Sequence, residues 1–285
     1  MINSNFTIRE MKREEVDLAI EWAAIEGWNP GLADADSFFI ADTKGFLIGL
    51  VDNKPVAIIS AIKYGTSFGF IGFYIVKPEY RGKGYGIRIW NAALKYLEGR
   101  NIGLDGVVDQ QDNYKKSGFK LAYRNIRYSG VVGSTHFPND LIIVDLAKVP
   151  FNEVNNYDKQ FFPDDRMMFL MSWISQPKGK AIGALNKTGK LIGYGVIREC
   201  RSGYKIGPLF ADSHEIAESL LETLKSNVPE GTKIFLDIPE VNAEAIALVK
   251  RYNMEIVFET ARMYTGEIPE LPVNKIFGVT TFELG

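Results

Sequence analysis

A strand–turn–helix unit near residue 80 constrains the fold of this chain more than any other part of its sequence. An apolar run at 68–76 predicts a β-strand, and residues 85–97 place apolar side chains at helical spacing. Gly82, Gly84 and Gly86 lie in the turn between them. A helix N-terminus leaves about four backbone N–H groups unpaired, and glycine lets a ligand approach such a backbone because it has no Cβ. The unit therefore predicts a phosphate or pyrophosphate site.

Two common nucleotide motifs fit this turn poorly. Arg81 and Lys83 add positive charge, but Lys83 is not followed by the Ser or Thr that a P-loop requires. The dinucleotide-binding fingerprint is spaced GxGxxG, whereas residues 82–86 read GxGxG. That fingerprint also expects an acidic residue ~20 residues further on, and Asp105 lies at such a distance. The spacing alone therefore does not exclude a dinucleotide-binding site.

The order of predicted elements repeats along the chain. Its 285 residues suggest two domains, at about 100–200 residues each. The sequence Ile-Gly-Leu-Asp at 102–105 is echoed by Ile-Phe-Leu-Asp at 234–237, and Arg-Tyr-Ser-Gly at 127–130 is echoed by Arg-Met-Tyr-Thr-Gly at 262–266. A repeat of ~130 residues indicates a duplicated domain rather than a solenoid.

We therefore predict an α/β (α+β) chain made of two similar domains, each a mixed twisted sheet flanked by helices. Strands at 121–131 and 141–146 are expected to close the first repeat. Turn residues cluster at 136–150, and we place the joint there, which gives domains at 1–140 and 141–285.

Composition excludes several classes of protein and partner. The net charge is −2, so bulk charge gives no reason to expect nucleic acid or an anionic membrane as a partner. One cysteine, Cys200, and two histidines favour neither a disulfide framework nor a metal site. Neither a signal peptide nor a run of about 20 apolar residues is evident. We expect a cytoplasmic protein without a metal, monomeric or homodimeric.

Two segments, in order, resemble signatures of the GNAT superfamily of acetyl-CoA-dependent N-acyltransferases. The turn at 81–86 reads Arg-Gly-Lys-Gly-Tyr-Gly, which fits that family's Arg/Gln-x-x-Gly-x-Gly/Ala motif after a strand. Tyr114 lies four residues before Gly118-Phe119, as in the family's second signature. The resemblance covers residues 6–130, and the pair Asn113–Tyr114 is similar to a bacterial subgroup with a second GNAT-like domain, called YitH-like.

The resemblance implies a site for acetyl-CoA and a role for Tyr114. The CoA pyrophosphate would bind the backbone amides of 82–86, and the pantetheine arm would pair with the strand at 74–76. An amide near Val76 would polarise the thioester carbonyl. Tyr114 would give a proton to the leaving thiolate, since a phenol of pKa ~10 can protonate a thiolate whose acid has a pKa of ~8.5. The implied cofactor-binding residues are Tyr74, Ile75, Val76, Arg81, Gly82, Lys83, Gly84, Tyr85, Gly86 and Asn113.

The acceptor side is less constrained by sequence. The family's acceptor pocket lies under the loop after the first helix, here residues 26–31, so Trp28, Asn29, Phe38 and Asp105 are the candidate acceptor-binding residues. An anchoring role for Trp28 in the core is the equal alternative. The amine must lose a proton before or during attack, and five carboxylates are candidate bases without one being favoured: Glu26, Asp34, Asp36, Asp105 and Asp109.

The second repeat lacks the active parts. Aligning Gly118 with Asn253 places Val249 at the position of Tyr114, and Val249 cannot donate a proton. The turn before its helix has no glycine run and carries Asp212, which would repel an anion. We expect a degenerate half that builds one wall of the acceptor cleft. The leading function is acetyl transfer to a primary amine of a small molecule. The alternatives are an acyl-CoA sensor without turnover and a protein lysine or N-terminal acetyltransferase.

Overall fold

The computed structural model describes residues 5–134 and 141–285, and the two halves repeat one order of elements. The predicted domain boundary follows residue 140, at the end of the segment 135–140. This segment, which includes His136, lies outside the described residues. The first half comprises β1 (Phe6–Glu10), α1 (Arg13–Ile25), α2 (Asp34–Ala41), β2 (Phe46–Val51), β3 (Lys54–Tyr64), β4 (Phe68–Val76), α3 (Tyr85–Tyr96), β5 (Asn101–Val107), α4 (Gln111–Lys116) and β6 (Lys120–Val131). The second comprises β7 (Ile142–Asp145), α5 (Phe151–Asp158), α6 (Met167–Ile174), β8 (Gly179–Leu185), β9 (Leu191–Glu199), β10 (Tyr204–Ala211), α7 (His214–Lys225), β11 (Lys233–Pro239), α8 (Ala243–Arg251), β12 (Glu255–Tyr264) and β13 (Ile276–Gly278).

Side-chain periodicity and caps account for the helices beside the sheet. Helix α3 buries Ile89, Trp90 and Ala93 on one face and leaves its other face to solvent. The side chain of Ser213 accepts a hydrogen bond from Ile216 N at the start of α7. Such capping fixes where each helix begins and therefore how the preceding strand meets it.

All thirteen strands of the described residues belong to one mixed sheet. Its order is β1-β2-β3-β4-β5-β12-β6-β11-β10-β9-β8-β7, with β13 paired to β10. Neighbours run antiparallel except β4 with β5 and β10 with β11, which are parallel. The predicted class, tandem mixed sheets flanked by helices, is confirmed, and the two sheets are joined into one.

The last long strand of each half has changed places with its counterpart. β12 of the second half lies beside β5 of the first, and β6 of the first half lies beside β11 of the second. The strand expected at 141–146 does not close the first repeat. It forms β7, at the far edge of the sheet beside β8, because β12 occupies the position next to β5.

Two buried ion pairs hold the exchanged strands in register. Arg262 on β12 reaches Asp105 on β5 with distances of 2.9 and 2.5 Å, and Arg127 on β6 reaches Asp237 on β11 with two distances of 2.7 Å. All four side chains are at most 7% exposed. The repeated Asp and Arg motifs of the sequence are therefore partners across the two halves, each Asp pairing with the Arg of the opposite repeat.

The helical layer also crosses the repeat. Phe38 on α2 stacks on Trp173 on α6 with ring centroids 5.8 Å apart. The buried carboxylate of Asp34 pairs with Arg198 on β9 at 2.9 Å. One hydrophobic core runs through both halves, so each half supports the other.

Candidate active site

The principal cavity lies where β4 and β5 separate. Their pairing ends at Ile71 and Leu104, and beyond that point the two strands diverge. β4 also bulges against β3 after Gly72, where Phe73 adopts a φ of +48°. A cavity of about 550 Å³ occupies the gap and reaches the turn before α3. That volume is within the range of small-molecule sites, about 300–1,000 Å³.

The glycine turn forms one end of the cavity. Gly82 and Gly84 have φ values of +74° and +82°, and a Cβ built on either would meet nothing within 4 Å. The space in front of the α3 N-terminus is therefore open. A Cβ on Gly86 would approach the Tyr74 hydroxyl to 2.7 Å, so a side chain at 86 would crowd the strand. An open helix N-terminus with left-handed glycines fits a phosphate ligand.

The basic side chains of this turn point in different directions. Arg81 donates to the Val76 carbonyl oxygen at 2.9 Å and pairs with Glu26 at 2.5 Å, at the cavity rim. Lys83 lies over the ring of Tyr80 at 5.2 Å and is outside the lining. The predicted cofactor residue Tyr85 turns its ring into the core, against Phe6. Arg81 and the three glycines line the cavity, whereas Lys83 and Tyr85 lie outside the lining.

Tyr114 lies on the cavity wall next to the strand gap. Helix α4 holds its ring 5.5 Å from that of Trp90, and a Cβ on Gly106 would overlap it, so its place is defined by packing. Burial raises the pKa of the Tyr114 phenol above its ordinary value, and the nearby Tyr74 adds to the effect. Burial also raises the pKa of Tyr74. Both hydroxyls therefore keep their protons at neutral pH.

Of the predicted cofactor-binding residues outside the turn, Tyr74, Ile75 and Val76 line the cavity, whereas Asn113 does not. Tyr74, Ile75 and Val76 all face the gap. Asn113 is exposed on α4 and donates to Gln110 Oε1 at 2.8 Å, outside the lining.

Of the candidate acceptor-binding residues, some line the cavity and others do not. Trp28 lines the cavity, and its carbonyl oxygen accepts from Arg127 at 2.7 Å and from Lys205 at 3.4 Å. Asn29 instead exchanges two hydrogen bonds with the backbone of Ser202. Phe38 is fully buried between the halves, away from the lining. The second half thus holds the loop after α1 in place, with the indole of Trp28 beside the cavity.

Most candidate bases already have cationic partners. Asp105 lines the cavity, yet one oxygen accepts from Asn125 at 2.8 Å and both accept from Arg262. Asp34 is buried with Arg198. Asp36 pairs with an arginine at the surface. Asp109 is exposed and lies outside the lining.

The second half supplies four lining residues that sequence reasoning missed. Phe258 and Thr260 arrive on the exchanged strand β12, and Phe282 and Glu283 follow β13. A Cβ on Gly72 would overlap the Glu283 carbonyl oxygen, so this segment presses on the start of the β4 bulge. No local pattern marks residues 282–283. Asp105 and Arg262 belong to two motifs that recur in both halves. Interpreting them as ion-pair partners across the repeat is the one sequence signal that could have placed β12 beside this cavity.

The corresponding gap of the second half is filled by the chain itself. Pairing of β10 with β11 ends at Ile206 and Leu236, and β13 then pairs with β10 at Leu209 and Phe210. Asp212 stands at the start of α7, held by Lys275 at 3.1 Å. The aligned position of Tyr114 is the fully buried Val249, as the sequence predicts.

The described ranges 5–134 and 141–285 offer neither a cluster of metal-binding side chains nor a membrane-spanning helix. They contain no group of three or more His, Cys, Asp or Glu side chains placed to hold a metal ion. None of the helices in these ranges is long and apolar enough to cross a membrane.

A divergent strand pair, an open glycine turn at a helix N-terminus and a buried phenol meet at one cavity. Comparison with known proteins identifies the family of the chain. The family model described as acetyltransferase (GNAT) family matches residues 9–119, and the one described as acetyltransferase (GNAT) domain matches residues 154–278.

Relatives and a solved structure extend the likeness to the whole chain. Holothin acyltransferase from Pseudoalteromonas sp. (strain SANK 73390) is 32% identical over 283 residues, which is 99% of this chain and 96% of that protein. An uncharacterized N-acetyltransferase called YitH, from Bacillus subtilis (strain 168), is 29% identical over 59% of this chain and 60% of its own. The crystal structure of a putative acetyltransferase from Pyrococcus horikoshii superposes with a TM-score of 0.82 at 25% identity, covering 100% of this chain and 98% of that one. The chain belongs to the GNAT family as a tandem-domain N-acyltransferase.

Proposed function

We propose that this protein transfers an acetyl group from acetyl-CoA to the primary amine of a small molecule by direct attack in a ternary complex. It would do so in the cytoplasm, as a monomer or homodimer. The observation that carries the proposal is the single cavity that brings together the glycine turn, the β4 bulge and Tyr114. No other described cavity has these parts.

The described residues fit acetyl-CoA along the length of the cavity. Open space before α3 would take the pyrophosphate on the amides of 82–86. The exposed edge of Tyr74–Val76, which β5 leaves unpaired beyond Ile71, would take the pantetheine amides. Arg81 supports the turn by bridging it to Val76 and Glu26. The backbone of Lys83 and Tyr85 belongs to the same amide cradle.

Tyr114 would protonate the departing thiolate. A phenol with a raised pKa remains protonated at neutral pH and is therefore ready to donate. Its ring is wedged between Trp90 and Gly106, which fixes the hydroxyl direction. A fixed donor costs no reorganisation during reaction.

A small acceptor is favoured over a protein side chain because the second half covers the acceptor side. Phe258, Phe282 and Trp28 close the cavity around the expected position of the thioester. The second half would act as a degenerate wall, since β13 fills its own gap and Asp212 occupies its helix start.

The test is release of free thiol from acetyl-CoA with a panel of primary amines. Holothin, the compound in the name of the relative at 32% identity, is the first acceptor to include. Release that depends on an amine supports the proposal. Tight acetyl-CoA binding with no release for any amine favours the sensor, and release only with peptide lysines or N-termini favours a protein acetyltransferase.

A matched pair of variants links the activity to the glycine turn. Gly84 and Gly99 both have a φ of +82° and open space around a built Cβ, but only Gly84 lines the cavity. Gly84→Val should weaken acetyl-CoA binding, whereas Gly99→Val should impose the same backbone strain and leave binding unchanged. Equal losses in both would place the cofactor elsewhere.

A further inference from the structure

We propose that Glu283, contributed by the second half, is the general base that takes the proton from the attacking amine. This inference rests on the proposed function and adds a residue to it. It concerns residues 279–285, here called the crossing segment, which lead from the second half's filled gap to the first half's cavity.

Both ends of the crossing segment are fixed by glycines at equivalent places. A Cβ on Gly207, at the end of β10–β11 pairing, would meet the Val279 carbonyl oxygen at 2.6 Å. A Cβ on Gly72, at the end of β4–β5 pairing, would overlap the Glu283 carbonyl oxygen. Tyr64 then donates to the Leu284 carbonyl oxygen at 3.0 Å. The segment is held against both bulges, so the position of Glu283 is defined beside the point where β4 and β5 separate.

Among the three carboxylates that line the cavity, Glu283 alone has no ion-pair partner within the described residues. Glu26 is engaged by Arg81, and Asp105 by Arg262. The Glu283 side chain accepts one hydrogen bond, from the Thr281 hydroxyl to Oε2. Its Oε1 receives none from a described residue. A base needs an oxygen that is free to accept a proton, and Oε1 is not occupied by a hydrogen bond from a described residue.

Three buried cations lie close enough to Glu283 to interact with its charge, although none of them forms an ion pair with it. These cations are Arg127 on β6, Arg198 on β9 and Lys205 on β10, and each interacts electrostatically with the Glu283 carboxylate. Arg127 is neutralised by Asp237 on β11, and Arg198 by the carboxylate of α2. One positive charge, that of Lys205, remains for Glu283 to balance. Burial and the neighbouring Arg127 lower the pKa of Lys205, while Glu283 and Asp237 act in the opposite direction.

The proton balance of the step uses two residues that line the same cavity. The amine nitrogen forms a bond to the acetyl carbon, the C–S bond breaks, and the products are an amide and free CoA thiol. The nitrogen's proton goes to Glu283 Oε1, and the sulfur receives the proton of Tyr114. Exchange with solvent returns both groups to their starting states.

The test compares Glu283→Gln with Glu222→Gln, in which a buried carboxylate outside the cavity lining is changed in the same way. Turnover is followed by thiol release with two nucleophiles, the best amine of the panel and hydroxylamine, which attacks without help from a strong base. We expect Glu283→Gln to lower kcat/KM for the amine by about 10²- to 10⁴-fold, to spare the hydroxylamine reaction and to leave acetyl-CoA affinity unchanged. Glu283→Asp should recover part of the rate.

Three results would count against the inference in distinguishable ways. Equal rates for the wild type and Glu283→Gln would remove Glu283 from the reaction. Equal losses for the amine and hydroxylamine, or for Glu283→Gln and Glu222→Gln, would show a structural effect of lost charge. A wild type that releases no thiol with any nucleophile would overturn the proposed function together with this inference.

Discussion

Replacement of Tyr114 by Phe tests the proposed proton donor with little disturbance of the fold. The ring packs on Trp90 and beside Gly106, and Phe keeps that packing. The Tyr114 hydroxyl makes no hydrogen bond with the described residues, so its removal leaves no buried partner unsatisfied. The free energy of unfolding should therefore change by less than about 1.5 kcal/mol, as for other volume-conserving substitutions.

The catalytic effect should be much larger than the structural one. A positioned general acid contributes about 10²- to 10⁴-fold, so kcat for Tyr114→Phe should fall by that factor while the acetyl-CoA dissociation constant stays the same. Because burial raises the pKa of Tyr114, the wild-type rate should show no loss from phenol ionisation until the pH exceeds the ordinary value of about 10.

The assay is stopped-flow thiol release, with acetyl-CoA binding measured separately by calorimetry. Tyr128→Phe is the control, since Tyr128 is similarly buried, at 7% against 8% exposed, but packs in the second half's core. It should leave kcat unchanged. Wild-type turnover in Tyr114→Phe, or an equal loss in Tyr128→Phe, would refute the reasoning.

Three further predictions concern the elements that shape the site. The hydrogen bond from Arg9 lowers the pKa of Glu15 to about 2, so the ionised Glu15 stabilises the fold above its unfolded pKa of about 4.5 and this stabilisation is lost as the pH falls towards 2. In urea titrations, Glu15→Gln should therefore lower the free energy of unfolding at neutral pH and have no effect once the pH is below 2. The loss should be at most about 1 kcal/mol, because Arg9 is 43% exposed and solvent screens the pair. Arg262→Met leaves the buried carboxylate of Asp105 without its cation and should cost about 3–5 kcal/mol of unfolding free energy, most of it recovered in the double variant with Asp105→Leu; an additive loss would contradict the pairing. Gly72→Ala should displace the crossing segment and lower kcat/KM for the amine more than it lowers acetyl-CoA affinity, and unchanged kinetics would show that the segment does not contribute to the site.

Local patterns predicted the parts of the site that one continuous segment contains. The apolar stripe of α3 and the glycine turn before it are both short-range features, and the helix begins at residue 85 as predicted. Tyr114 was singled out as a candidate proton donor by the resemblance of its spacing to Gly118 to the second GNAT signature. Helices α2 and α6 were not predicted from the sequence. Helix α6, Met167–Ile174, is apolar almost all round and therefore shows no amphipathic period.

Features that depend on pairing between distant segments were not predictable from these patterns. The exchange of β6 and β12 leaves each strand with the same alternation it would have in its own half, so sequence periodicity cannot distinguish the two arrangements. The echo of Asp105 and Arg127 in Asp237 and Arg262 was visible as a repeat, but not as a pair of cross-repeat ion pairs. Glu283 lies in a short segment that packs against Gly207 in its own half and Gly72 in the other, so its burial depends on both halves.

A crystal structure with acetyl-CoA bound tests the central claim most directly. The account predicts one molecule per chain, with its pyrophosphate at Gly82–Gly86, its thioester between the β4 bulge and Tyr114, and none in the second half, where β13 remains paired with β10. Acetyl-CoA in the second half's gap with β13 displaced, or a first-half cavity left empty at saturating cofactor, would contradict it.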